Sequence, residues 1–287
     1  MTPGASTKIT YPRGEVAGEA AVVLTDALEG GSGVVVDSTP FHPLDHTWPD
    51  QPADTGLLID GERVLPVVGC LTGAVEHGGG PLYVGEAIPV RRGSAGWHWL
   101  AVHVVEEAPP AEGARVTLRV DAERRAALSA GHTGCHLAAL ALNEALSGRW
   151  RKEIGTDALG RPDFDQAAIA SSRIRPFGSV DVYRLGKSLR KKGFTTDGLA
   201  GELPELAARV TARLAAWTAA DAKVWIDVPG PELTARRTWH CALPEGEASI
   251  PCGGTHLAST GPLAVASVAL ALDAAGGELT MTTTVAG

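Results

Sequence analysis

From its start to about residue 120 the chain is a series of short β-branched runs, each ended by a turn former, and this restricts its fold more than any other feature. The runs are Ala21 to Thr25, Gly33 to Ser38, Leu57 to Asp60, Arg63 to Leu71, Trp97 to Val105 and Arg115 to Val120. Between them stand GGSG, the Asp60-Gly61 pair, HGGG, RRGSAG and APPAEG. Strands of this length joined by glycine- and proline-bearing turns pair with their chain neighbours. Residues 1–118 are therefore expected to form a small β-rich, barrel-like domain.

The pattern changes at Val120-Asp121. Asp121 can cap a helix, and AERRAALSAGHTGCHLAALALNEAL has no strand alternation. Its apolar spacing from Thr133 to Leu146 suits a buried helix. A second helix is marked by Leu203, Leu206, Val210, Leu214 and Trp217 at steps of three and four, with Pro204 expected in its first turn. Strands return at Lys223 to Val228, Ala266 to Leu272 and Leu279 to Val285. The expected whole is an α+β protein, with residues 119–287 as a second, α+β domain.

Composition narrows the function classes. At 287 residues, 44% hydrophobic and 20% charged, the chain has the profile of a folded globular protein. The N-terminal stretch lacks the basic and apolar segments of a signal peptide. The longest apolar run, Leu263 to Leu272, falls short of the roughly 20 residues that span a bilayer. A soluble, cytoplasmic protein without a membrane partner is expected. A net charge of −8 argues against indiscriminate nucleic-acid binding, and no DNA partner is expected. Cys70, Cys135, Cys241 and Cys252 are too few for a disulfide framework, so metal binding is the better use for any that matter.

His132 and His136 are four residues apart and, on a helix, project from one face about one turn from each other. Cys252 and His256 repeat that spacing inside PCGGTH, where Gly253 and Gly254 permit a tight turn. Three imidazoles and one thiolate suit a single tetrahedral zinc ion. Either pair alone is also what core or surface histidines look like.

The two segments VDAERRAALSAGHTGCHL and IPCGGTHLASTGPLA resemble, in order, the paired signature of the alanyl-tRNA synthetase editing domain and its free-standing AlaX relatives. FHPLDHTWPDQPADTG resembles more loosely that family's glycine-rich F-x-P…G-G-Q-x-x-D-x-G segment. The resemblance runs from about residue 35 to 265 and implies a zinc-binding α+β editing domain behind a small N-terminal β-barrel. It implies hydrolysis of the ester joining a wrong amino acid to tRNA. It makes His132, His136, Cys252 and His256 the ligands of one Zn2+ per chain. Zinc could activate water by lowering its pKa or only orient the substrate, and the sequence leaves both open.

Three departures bear on the substrate. LDHTWP replaces the family's glycines and brings Asp45, His46 and Trp48 into a loop that in the family lies near the active site. These residues reshape a pocket or simply pack a junction. Cys135, inside the first motif, either shapes the amino-acid site or is an inert core thiol. With it, Thr133, His132 and His136 make up the candidate catalytic set. Thr255 joins Asp45, His46 and Trp48 as a candidate substrate contact, and both threonines are equally suited to capping. Finally, Arg184, Lys187, Arg190, Lys191 and Lys192 put five positive charges into nine residues. They are candidates for tRNA phosphates, or a solvated helix face.

The expected activity is that of a trans-acting aminoacyl-tRNA deacylase, a zinc-dependent carboxylic ester hydrolase serving translation fidelity. The partner is the acceptor end of an aminoacyl-tRNA. The family default is seryl- or glycyl-tRNA(Ala). The altered loop keeps open a toxic amino acid, such as a halogenated threonine on tRNA(Thr), cleared as self-resistance. Two rivals stand beside it: a zinc hydrolase of small esters or amides that uses no tRNA, and a non-catalytic RNA-binding module with structural zinc.

Overall fold

Strict alternation builds the first part of the molecule. In Arg115–Val120 the residues Val116, Leu118 and Val120 are buried while Arg115 and Arg119 are exposed, the period of two that a one-sided strand requires. The computed structural model describes residues 4–286. They form two compact units. The first comprises the described residues up to Arg125 together with Val228–Arg237 and Gly253–Thr255, and the second the remainder.

The strands of the first unit are β1 (Lys8–Ile9), β2 (Ala17–Leu28), β3 (Gly31–Val36), β4 (Ser38–Thr39), β5 (Gly56–Asp60), β6 (Arg63–Glu76), β7 (Tyr83–Val84), β8 (Trp97–Val105) and β9 (Arg115–Val120). Seven pair in the order β5-β9-β2-β3-β8-β6-β7, and β5 also pairs with β6. Six strands thus follow one another round a ring of pairings, with β7 outside it. Asp60 faces Arg63 across a two-residue turn in which Gly61 has φ 60°, so the Asp-Gly signal marks a tight hairpin turn correctly. Val34, Val36, Leu58, Val67, Ala101 and Leu118 fill the inside.

Within this unit a buried ion pair holds Arg125, in the first turn of the first long helix, α1 (Ala122–Ala145). Arg125 Nε donates to Asp54 Oδ1 at 2.8 Å, its Nη2 reaches Asp54 Oδ2 and the Pro40 carbonyl, and the His42 amide donates to the same carboxylate. Asp121 caps the helix as expected, accepting from the Arg124 amide at 3.0 Å.

In the second unit α1 is followed by α2 (Phe164–Ala168), β10 (Ile169–Arg175), β11 (Gly178–Arg184), α3 (Lys187–Lys191), α4 (Leu199–Ala219), β12 (Val224–Asp227), β13 (Thr238–Leu243), β14 (Gly246–Pro251), β15 (Val265–Leu272) and β16 (Glu278–Ala286). One sheet has the order β10-β11-β16-β15, the other β12-β13-β14. Leu206, Val210, Leu214 and Trp217 of α4 are buried, each worth about 1.5–3 kcal/mol, and Leu203 is partly buried. The helix begins at Leu199, however, so Pro204 lies inside it and not in the first turn, where it had been expected. None of the described helices is long and apolar enough to cross a membrane.

Candidate metal centre

Helix α1 carries the two histidines at a place where it lies unusually close to the sheet. A Cβ on Gly131 would stand 2.3 Å from the Arg175 carbonyl oxygen and 2.6 Å from that of Gly178. One on Gly134 would stand 2.8 Å from a Val285 methyl. Only glycine permits this approach. His132 and His136 are then neighbours across one turn, with ring centroids 4.8 Å apart.

The second pair comes from the loop after β14. Cys252 Sγ lies 3.5 Å from His132 Nε2 and 3.2 Å from His256 Nε2. The His256 ring is 4.3 Å from that of His132 and 4.9 Å from that of His136. One donor atom from each of the four residues falls within 4.8 Å of the others, so the group could hold a metal ion.

Two further observations fit an ion. His136 Nε2 is sealed from solvent and has no hydrogen-bond partner among the described residues, a cost that an intended ligand would remove. Burial holds its pKa down to about 4, which keeps the ring neutral as a metal ligand must be. The donor set, three imidazoles and one thiol, matches zinc chemistry without identifying the ion.

Around these four candidate ligands the expected residues divide. Thr133 stands beside His256: its hydroxyl is 3.3 Å from His256 Nδ1 and accepts from the Leu257 amide at 3.1 Å. Because His256 Nε2 faces Cys252, a tautomer that ligates through Nε2 has its hydrogen on Nδ1, and Thr133 is the acceptor there. Cys135 is elsewhere. Its thiol bonds to Asp181 at 3.4 Å and contacts Ser172 at 3.8 Å, and it packs with Leu128 and Ile174.

Thr255, in the first unit, is held by Gln51, whose amide donates to Thr255 Oγ1 and accepts from the Thr255 amide, both at 2.9 Å. In the same unit Asp45 accepts from the Thr47 amide and hydroxyl, both at 2.7 Å, and pairs with Arg92. His46 stacks on Trp99 at 5.9 Å, and Trp48 is 43% exposed. Arg184, Lys187, Arg190, Lys191 and Lys192 are all exposed, the first at the end of β11 and the rest on or just after α3.

Sequence reasoning missed Trp239. Its ring lies 5.0 Å from His136 and 5.9 Å from His256, and its buried indole N–H has no partner among the described residues. It stands on β13, a strand absent from the sequence reading, so no signal pointed to it.

No family model matches the sequence. The chain is distantly similar to alanine–tRNA ligases. That of Pyrobaculum aerophilum is 26% identical over 242 residues, which cover 83% of this chain and 22% of the ligase. That of Pyrobaculum calidifontis is 28% identical over the same shares. The ligase of Akkermansia muciniphila is 31% identical over 163 residues, 54% of this chain and 14% of the ligase. The chain thus spans about a fifth of the length of the first of these relatives.

Proposed function

We propose that this protein is a zinc-dependent deacylase of aminoacyl-tRNA, related to the editing portion of alanine–tRNA ligases and acting in trans. The observation that carries the proposal is the convergence of His132, His136, Cys252 and His256 from two distant motifs in a chain similar to part of those ligases.

The four residues would hold the ion. Zinc supplies positive charge that can polarise an ester carbonyl or lower the pKa of a water. The chain's own groups do the rest. Burial keeps His136 neutral. Thr133 accepts from His256 Nδ1 and so fixes which nitrogen of that ring faces the thiolate. Trp239 walls the imidazoles and offers an indole N–H to a substrate acceptor. Arg184, Lys187, Arg190, Lys191 and Lys192 supply charge for tRNA phosphates without a carboxylate partner in the described ion pairs.

One observation favours an amino acid other than the family default. Where the family has glycines, Asp45 binds Thr47, the Trp48 amide and Arg92, which gives the loop a fixed shape and bulky contents. This supports a non-standard substrate, such as a halogenated threonine on tRNA(Thr), over seryl- or glycyl-tRNA(Ala). Asp45, His46, Trp48 and Thr255 are its proposed contacts.

The test is a panel of charged tRNAs, comprising seryl- and glycyl-tRNA(Ala) and threonyl- and halothreonyl-tRNA(Thr), run with the parent protein, His132→Ala and Cys252→Ala. Hydrolysis of at least one charged tRNA is expected, with its loss in both variants. Cleavage of small esters alone would sink the reading.

A further inference from the structure

The β10–β11 hairpin turns through Pro176 and Phe177, with Arg175 paired to Gly178. Proline fixes φ at the first turn position, and the second, Phe177, has φ 57°. Turns normally give that left-handed position to glycine or asparagine, because a Cβ there crowds the following carbonyl. Here it holds a phenylalanine, kept in place by its amide on the Ala127 carbonyl and by the Val285 amide on its own carbonyl, both at 2.9 Å. The strain brings no burial in return, since the side chain is 41% exposed.

Arg173 and Arg175 precede it on β10. Both are exposed, while the alternating Ser172 and Ile174 are buried, so the two guanidinium groups leave the outward face of the sheet. Neither has a carboxylate in the described ion pairs. Across the sheet their rows continue through Val180 to Thr282 and through Gly178 to Thr284, with no acidic residue. In a chain of net charge −8 this is a locally basic, uncharged-flanked strip. The hairpin also abuts the turn of α1 that leads into His132, through the Gly131–Arg175 approach.

Arg173 Nη1 donates to the Ser172 carbonyl at 2.7 Å, which leaves the charge of both arginines without a described carboxylate. An exposed aromatic ring beside two such cations is the combination that binds single-stranded nucleic acid, with bases stacking on the ring and phosphates on the cations. A ring can stack only on a base that is not already enclosed in a duplex. We propose that Arg173, Arg175 and Phe177 bind the unpaired 3′ end of tRNA, the phosphates on the two arginines and one base on Phe177. This rests on the deacylase reading and deepens it by assigning the element that holds the RNA end.

The decisive variant is Phe177→Gly, which suits φ 57° better than the parent residue and so must fold at least as well; an unchanged or raised melting temperature checks this. Binding is read by fluorescence anisotropy with an uncharged, labelled RNA hairpin ending in unpaired ACCA and with its blunt counterpart. The parent should prefer the overhang. Phe177→Gly should weaken overhang binding roughly tenfold and leave the blunt hairpin alone, and Phe177→Trp should restore it. Arg173→Gln with Arg175→Gln should lower the salt slope by about 1 to 2. Equal binding of both RNAs by the parent overturns the proposal, as does overhang affinity unchanged in Phe177→Gly. So does an effect traced by sedimentation to lost self-association, which would make the ring a contact between copies. Charged tRNA separates the two readings. Turnover with KM unaltered in Phe177→Gly overturns the hairpin assignment and leaves the deacylase standing. Phe177-dependent RNA binding with no turnover of any charged tRNA supports the hairpin and removes the deacylase.

Discussion

Helix α1 carries two polar clusters on two of its sides, and they differ in whether their hydrogen-bonding capacity is used up. On one side stand His132 and His136 with Cys252 and His256, where His136 Nε2 is buried and has no described partner. On the other, one turn from His132, Cys135 joins Asp181, which accepts from Ser172 at 2.5 Å and Ser179 at 2.7 Å as well as from the thiol. The second cluster is closed upon itself. Buried polar groups that satisfy one another build a fold, whereas a buried nitrogen such as His136 Nε2, without a described partner and set among convergent metal-ligating side chains, points to something that is still to bind. The contrast explains why Cys135, three residues from His132, does not join the candidate metal group.

The contrast is broken most severely by removing a ligand. Cys252→Ala is expected to take zinc content, read by elemental analysis of purified protein, from one per chain to none. Full occupancy in that variant would exclude the thiolate from the site. Asp181→Ala attacks the closed side instead. It strips the acceptor from two buried hydroxyls and a thiol, at a cost of about 3 kcal/mol in chemical denaturation. Zinc content should not move, because none of those groups faces the ion.

Asp165, near the closed cluster, adds a pH dependence. Burial raises its pKa to about 7, the Tyr183 hydroxyl offsets part of this, and Asp181 and Asp163 add to it. Between the ordinary carboxylate pKa and about 7 the folded protein therefore holds a proton that the unfolded chain has lost. Stability falls as pH rises through that window. Asp165→Asn removes the effect, so it should gain about 4 kcal/mol over the parent at pH 8.5 and almost nothing at pH 4. An equal gain at both pH values would assign the effect to packing.

Much of this arrangement was legible in the chain. The β-rich first half, the buried faces of α1 and α4 and the returning strands follow from apolar periodicity. The candidate metal group was suggested by two four-residue spacings of ligating side chains and singled out by the resemblance of the two segments that carry them, since either spacing alone also suits core or surface histidines. Besides β1, β4 and β7, of two residues each and too short to show a period, four strands were not legible, and the reason is physical. β10 and β11 spend their inward positions on Ser172, Ser179 and Asp181, which hides the apolar alternation. β13 and β14 are six residues each around a turn at Pro244-Glu245, and β14 buries only Ala248, which leaves no apolar alternation to read. Trp239 and Phe177 were lost with them. Nor can periodicity reveal that residues 228–237 and 253–255 group with the first unit, since that assignment depends on contacts between segments far apart in the chain.

The finer predictions act on single hydrogen bonds. Thr133→Val keeps the shape of the side chain but removes the acceptor facing His256 Nδ1. Zinc affinity, measured by competition with a chelator, should fall ten- to a hundredfold, the usual penalty for losing the partner of a ligating histidine. An unchanged affinity would reduce Thr133 to its bond with the Leu257 amide.

Cys135→Ala is the mildest change and the sharpest discriminator. Burial pushes the Cys135 thiol well above its ordinary pKa, and Asp181 adds to this, so it stays protonated and donates. Alanine deletes one of three donors to a carboxylate that keeps two, and leaves a space of one sulfur atom between Leu128 and Ile174. The expected loss is about 1 kcal/mol, with zinc affinity and amino-acid preference both unaltered. If instead the variant accepts a different aminoacyl ester while its stability is unchanged, the thiol shapes the substrate pocket after all. The two sides of α1 would then be one site.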